Sequence, residues 1–153
     1  MKQKYIDAYI DIAYRVAELS HARRLKVGAV IVKDDVITYG YNGMPSGWDN
    51  NCEDPVLVTV GMAPDGHDLV NLELKTKAEV LHAESNAISK IAKSTVSAED
   101  ASMFITHSPC IHCAKLIFQA GVKRVFYSES YRSSDGIEFL EKSGVAVEQV
   151  ARK

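Results

Sequence analysis

A chain of 153 residues, 46% of them hydrophobic and 25% charged, is long enough for one domain with a core of its own and needs no disulfide framework. Its net charge of −2 excludes the cationic surplus of a protein that lives on polynucleotide backbones, although His21-Ala22-Arg23-Arg24-Leu25-Lys26 is locally basic. No apolar run is long enough to span a bilayer and Met1–Asp7 has no secretory apolar region, so a cytoplasmic location and no membrane partner are expected.

Ile6, Tyr9, Ile10, Ala13, Val16, Ala17 and Leu19 recur close to the helical period, which predicts an amphipathic helix over 5–19. Residues 27–33 form a short β-branched run, Asp34-Asp35 supplies a turn, and residues 36–41 read as the return strand of a hairpin. Residues 42–75 hold three of the four prolines and several glycines without a sustained period. They are expected to form a long irregular segment, serving as a lid, a ligand loop or a subunit contact. A helix is expected from Thr76 to Ala92, with Thr76 and Glu79 as a capping box. Residues 101–106 read as a strand and 110–120 as a helix ended by Gly121. A strand over 123–128, a helix over 135–142 ended by Gly144, and a strand over 145–150 complete the chain. After the opening hairpin the order is α, β, α, β, α, β, which predicts a mixed sheet with helices on its faces in one domain, residues 1–153.

Two short motifs carry the chemistry: His82-Ala83-Glu84, and Pro109-Cys110-Ile111-His112-Cys113 where a strand gives way to a helix. Three cysteines are a poor basis for disulfides, and a pair three residues apart in a reducing compartment points to a metal or a redox couple. On the first helical turn the two thiols share a face, and the exposed N–H groups there favour thiolate. Two thiolates and one imidazole, from His82, Cys110 and Cys113, suit Zn²⁺. Three ligands are one short of a closed structural site, so the fourth position is left for water. His112 is a poor fourth ligand, because about 100° of helical rotation per residue turns it away from both cysteines. Glu84 then stands where it can take a proton from a water whose pKa zinc lowers from about 15.7 to about 7, and return it to a leaving amine. His-x-Glu followed by Pro-Cys-x-x-Cys is the signature of zinc-dependent nucleobase deaminases.

On these motifs the chain resembles the deoxycytidylate (dCMP) deaminases of the cytidine deaminase superfamily. The narrower resemblance rests on Gly40-Tyr41-Asn42-Gly43-Met44-Pro45-Ser46-Gly47, on Val27–Val32 and on Cys113–Val122, and it runs over nearly the whole chain. It implies a three-layer α/β/α fold with a mixed five-stranded sheet. It implies hydrolysis of dCMP to dUMP and ammonia, activation by dCTP with Mg²⁺ accompanying the triphosphate, inhibition by dTTP, and a homohexamer. It places substrate at Asn42, Thr106, Ser108, Tyr131 and Ser134, and effector at Lys26, Gly28, Tyr41, Asn42 and Gly43. Asn42 suits a sugar hydroxyl because its amide both donates and accepts; read without the resemblance, Gly40–Gly43 reads first as an ordinary strand-ending turn.

A monophosphate needs cations, and Arg23, Arg24, Lys26 and Arg132 are the candidates, each otherwise an ordinary surface charge. Some members of this family carry a second, structural zinc. Here Leu72, Thr76 and Val80 stand before His82 and cannot ligate, which leaves Cys52 and His67, so one zinc per chain and a plain buried Cys52 are expected. Three other readings remain open: a free-nucleoside deaminase, a polynucleotide deaminase, and a zinc-stapled interaction module without turnover.

Overall fold

The computed structural model describes residues 1–152. Eleven elements follow one another among them. α1 (Gln3–Ala17) leads into β1 (Gly28–Lys33) and β2 (Val36–Tyr41), then β3 (Glu53–Met62) and β4 (Asp68–Thr76). After these come α2 (Ala83–Ala92), β5 (Ser102–His107), α3 (Ile111–Gln119), β6 (Arg124–Glu129), α4 (Asp135–Lys142) and β7 (Ala146–Gln149). Five strands form a mixed sheet in the order β2-β1-β5-β6-β7, antiparallel at its first two pairings and parallel at the last two. The three-layer α/β/α expectation is met.

Alternation along the strands sorts the core. Val30, Val32, Phe104 and Phe126 point to one face and pack with Ile6, Ile10 and Ala13 of α1, with the Phe104 and Phe126 rings stacked at 4.9 Å. Ala29, Ile31, Met103, Ile105 and Val125 point to the other, where they meet Ala83, Ala87 and Ile91 of α2, Ala114 and Ile117 of α3, and Leu140 of α4. Two glycines permit the close approach of helix to sheet. A Cβ on Gly28 would run into the Ala13 carbonyl oxygen of α1, and one on Gly40 into the Ala83 carbonyl oxygen of α2. The Asp34-Asp35 turn has both residues at positive φ, 49° and 63°, as a two-residue hairpin turn requires.

Two expectations are corrected. The segment 42–75 is not irregular throughout, since β3 and β4 pair from Glu53↔Thr76 to Met62↔Asp68 as a two-stranded ribbon. Its proline and glycine content misled because those residues sit where a ribbon tolerates them. Pro55 lies on a strand with an open edge, Gly61 beside a register shift, and Gly66 in the tip at φ 87°. Leu57 and Leu72 face each other across this ribbon and are 71% and 70% exposed.

The second correction concerns α2. It begins at Ala83, not at Thr76, and His82 occupies the N-cap. Thr76 closes β4, and its hydroxyl accepts from Arg24 instead of capping a helix. Residues 77–80 form a single hydrogen-bonded turn, held by Lys77 N–H donating to the Cys52 carbonyl, and Leu81 then pairs with Gly43 through reciprocal backbone bonds (3.1 and 2.9 Å), so the helix cannot start before Ala83. The later elements fall within one or two residues of expectation, a normal fraying of boundaries.

Candidate active site

The site lies at the end of β5, where α2 and α3 both begin. His82 is the N-cap of α2 and Cys110 the N-cap of α3, and both keep extended backbone while their side chains make no capping bond. The side chains turn toward each other instead. His82 Nδ1 lies 3.4 Å from Cys113 Sγ and 3.7 Å from Cys110 Sγ. All three ligand atoms fall within 4.8 Å of one another, and among the described residues this is the one such convergence of His, Cys and acidic groups. His112 is exposed and outside it, as its helical position dictates.

This donor set fits zinc. Two sulfurs and an imidazole nitrogen are the borderline-soft ligands zinc prefers, and a set of three leaves one coordination position to exogenous ligand. The electrostatics agree. The Cys110 thiol is pulled down to about 3, first by a hydrogen bond from Cys113 and then by His82, while sharing that bond and burial hold the Cys113 thiol up. The pair thus keeps one proton between two sulfurs until a cation replaces it. His82 is raised, chiefly by Cys110. Uncapped N–H groups at two helix starts add positive potential to the same spot.

Glu84 stands in the first turn of α2, 4% exposed, and is not a member of the ligand group. Burial pushes its carboxyl up, opposed by its own backbone N–H and by His82. A buried carboxyl raised toward neutrality can both accept and return a proton.

These groups open into a cavity of about 300 Å³. His82, Ala83 and Glu84 of the α2 start, Cys110, and His107-Ser108 after β5 form one part of its lining. Arg24, Leu25, Val27 and Asn42 form another, with Thr76, Val80, Tyr131 and Arg132 completing it. The expected substrate residues are therefore divided. Asn42, Ser108 and Tyr131 line the cavity, and the Ser108 hydroxyl accepts from the Tyr131 N–H at 2.7 Å. Thr106 does not line it, being fully buried with its hydroxyl accepting from the Gly28 N–H and paired with His107 Nδ1. Ser134 does not line it either, and donates to Glu138 at 2.7 Å.

The expected effector residues are also spread. Asn42 spans its own neighbours, with its amide oxygen accepting from the Val27 N–H and its amide nitrogen donating to the Leu25 carbonyl, both at 2.8 Å. Gly28 is buried beneath α1, and Gly43 is tied to Leu81. The Tyr41 carbonyl accepts from Asn86. Lys26 is exposed and reaches only the Glu18 carbonyl, at 3.5 Å. Of the candidate cations, Arg24 and Arg132 line the cavity while Arg23 and Lys26 do not. Leu25, Val27, Thr76, Val80 and His107 were not singled out from sequence, because nothing in their local pattern distinguishes a cavity wall from a core or a loop. Cys52 is buried with Ala22 and Val80, its thiol kept protonated by burial.

The molecule matches known proteins over this whole frame. A family model for the cytidine and deoxycytidylate deaminase zinc-binding region matches residues 3–129. The chain is 39% identical over 140 residues to ComE operon protein 2 of Bacillus subtilis, spanning 90% of this chain and 67% of that protein. It is 34% identical to the deoxycytidylate deaminase of Enterobacteria phage T4, spanning 94% of this chain and 89% of that one. Among solved structures, the dCMP deaminase of cyanophage S-TIM5 in complex with dCMP and dUMP superposes with a TM-score of 0.82 at 42% identity, over 98% of this chain and 99% of that one. With the three-ligand centre and its buried glutamate in place, the chain belongs to the cytidine and deoxycytidylate deaminase zinc-binding family.

Proposed function

We propose that the protein hydrolyses dCMP, with water, to dUMP and ammonia. The observation that carries this reading is the buried Glu84 carboxyl beside a three-ligand His82-Cys110-Cys113 set, in a cavity that Arg24 and Arg132 also line. Zinc bound by those three residues would supply an activated water. Glu84 takes the proton that water gives up on attacking the amine-bearing carbon and passes it to the neighbouring ring nitrogen; it then carries the proton of the newly added hydroxyl to the amine, and the C–N bond breaks as the carbonyl of dUMP forms and ammonia leaves. Arg24 and Arg132 suit the 5′-phosphate. Asn42 suits the sugar, Tyr131 offers a ring to the base, and Ser108 holds the Tyr131 backbone in place. Thr106 and Ser134 act from behind the wall, through His107 and through the start of α4.

One zinc per chain, activation by dCTP with Mg²⁺, inhibition by dTTP, a homohexameric assembly and a cytoplasmic location complete the proposal. The regulation and assembly rest on the likeness of the Gly40–Gly47 loop to regulated members of the family, with Lys26, Gly28, Tyr41, Asn42 and Gly43 as the effector positions; the single His82-Cys110-Cys113 convergence among the described residues supports one zinc. Gly28 would serve there through packing, since its N–H is already given to Thr106.

The test offers zinc-loaded protein dCMP, deoxycytidine, CMP and a short cytosine-containing DNA, each with and without dCTP and Mg²⁺, and follows ammonia. Release from dCMP in preference to the others is expected. Release from the DNA but not from dCMP would overturn the substrate, and rates indifferent to dCTP and dTTP would remove the regulation alone.

A further inference from the structure

Glu53 is 1% exposed, yet it lies at the base of an otherwise open ribbon. A buried carboxylate is retained only where donors surround it. Its Oε1 accepts from the backbone N–H of Arg23 at 3.0 Å and of Arg24 at 3.1 Å, and its Oε2 faces the Arg23 Nε at 3.4 Å. Its carbonyl accepts from Arg23 Nη2 at 3.1 Å. Across the ladder its register partner Thr76 accepts from Arg24 Nη1 at 3.0 Å. The base of the ribbon is thus a socket for residues 23–24, which belong to no helix or strand of their own. Ala22, buried with Cys52 and Val80, seats the same turn from the other side.

Of the two guanidinium groups in the socket, Arg23 is spent on Glu53 and Asn51, whereas Arg24 lines the catalytic cavity. Two adjacent arginines repel and have no intrinsic preference for which one faces inward. The carboxylate decides it by fixing both backbone N–H groups. We infer that Glu53 is a positioning residue that holds Arg24 on the cavity to receive the 5′-phosphate of a nucleoside monophosphate, an inference that rests on the nucleotide reading above. Glu53 touches no reacting atom and acts only through the Arg23–Arg24 backbone. Alanine at 53 removes the acceptor that both backbone N–H groups share, whereas glutamine can keep both on its one amide oxygen and gives up only the Arg23 Nε contact.

The test compares zinc-loaded wild type with Glu53→Ala, Glu53→Gln, Arg24→Ala, Arg24→Lys and the Glu53→Ala/Arg24→Ala pair. Calorimetry gives Kd for dUMP and for deoxyuridine, and steady-state assays give KM and kcat for dCMP. Glu53→Ala should weaken dUMP about tenfold, raise KM for dCMP to match and leave deoxyuridine unchanged, because a misplaced positioning group loses only the contact it served. Glu53→Gln should recover most of that loss. Arg24→Ala should lose more, Arg24→Lys should recover part of it, and the double variant should be no worse than Arg24→Ala alone. In Glu53→Ala, equal loss for dUMP and deoxyuridine or no loss for either would overturn the inference, as would full additivity in the double variant. Should Glu53→Ala fail to fold, Glu53→Met fills the same space without an acceptor and is read by the same ratio. Wild type that releases no ammonia from dCMP sinks the nucleotide reading, while active wild type with an unchanged dUMP-to-deoxyuridine ratio in the variants sinks this inference alone.

Discussion

His82 Nδ1 sits 3.4 Å from Cys113 Sγ, although the two residues are 31 positions apart and belong to different helices. The contact exists because α2 and α3 both start at the end of the central strand β5, with the N-cap His82 released from capping duty and Cys113 on the first turn of α3. His82→Ala or Cys113→Ser should each abolish stable zinc binding, reading near zero by metal analysis where wild type reads near one per chain. Two remaining ligands cannot hold the ion against competing chelators.

Glu84 is outside the ligand group. Glu84→Gln should therefore keep zinc and lose turnover by at least about 10²-fold, the usual contribution of a positioned acid–base group. Metal content and ammonia release measured on the same sample separate the two effects. Retained turnover would reassign the proton carrier.

His107 titrates below the ordinary imidazole range because it is half-buried, with the Glu129 carboxylate, 3.6 Å from its Nε2, opposing the shift. Its neutral form is thus favoured in the folded state. The stability it contributes is fully present above the unfolded value of about 6.5 and is lost as pH falls through the lower folded value. Exchanging it for a group that does not titrate, in His107→Gln, should shrink the fall in Tm between about pH 7 and pH 5 by about 1–3 °C. A steeper fall in the variant would reverse the assignment.

Gly28 has no room for a methyl group under α1. Gly28→Ala should destabilise the fold by roughly 2 kcal/mol, the range for overpacking a tight contact, because the obstructing atom is helix backbone and cannot rotate aside. Chemical denaturation measures it. The same substitution at Gly43, where a Cβ would meet nothing within 4 Å, should leave stability nearly unchanged.

The five strands and four helices that build the central sheet's core were legible because their apolar spacing has a physical period, 2 or 3.6, that burial on one face imposes. The ribbon of β3 and β4 was not. Its residues pack mainly on each other and leave Leu57 and Leu72 in solvent, so no buried face disciplines the pattern. The start of α2 was misplaced for a related reason. Thr76 and Glu79 have the chemistry of a capping box, but Thr76 is claimed by Arg24 and by pairing with Glu53, contacts about fifty and about twenty residues away in the chain.

By itself the sequence singled out the candidate metal ligands. His82 and the Cys110–Cys113 pair sit in short motifs whose residue types and helical spacing suit a three-ligand zinc set, which the fold brings together where α2 and α3 begin, and Glu84 stands two residues beyond the first ligand. Only the tertiary structure decided which of the basic residues at 23–26 enters the cavity, that Thr106 stands behind its wall, and that Glu53 governs Arg24. The physical reason is that a ligand set is specified by bonding preference, which is local. The lining of a cavity is specified by where distant backbone N–H groups find their acceptors, and a buried carboxylate such as Glu53 settles that across nearly thirty residues of chain.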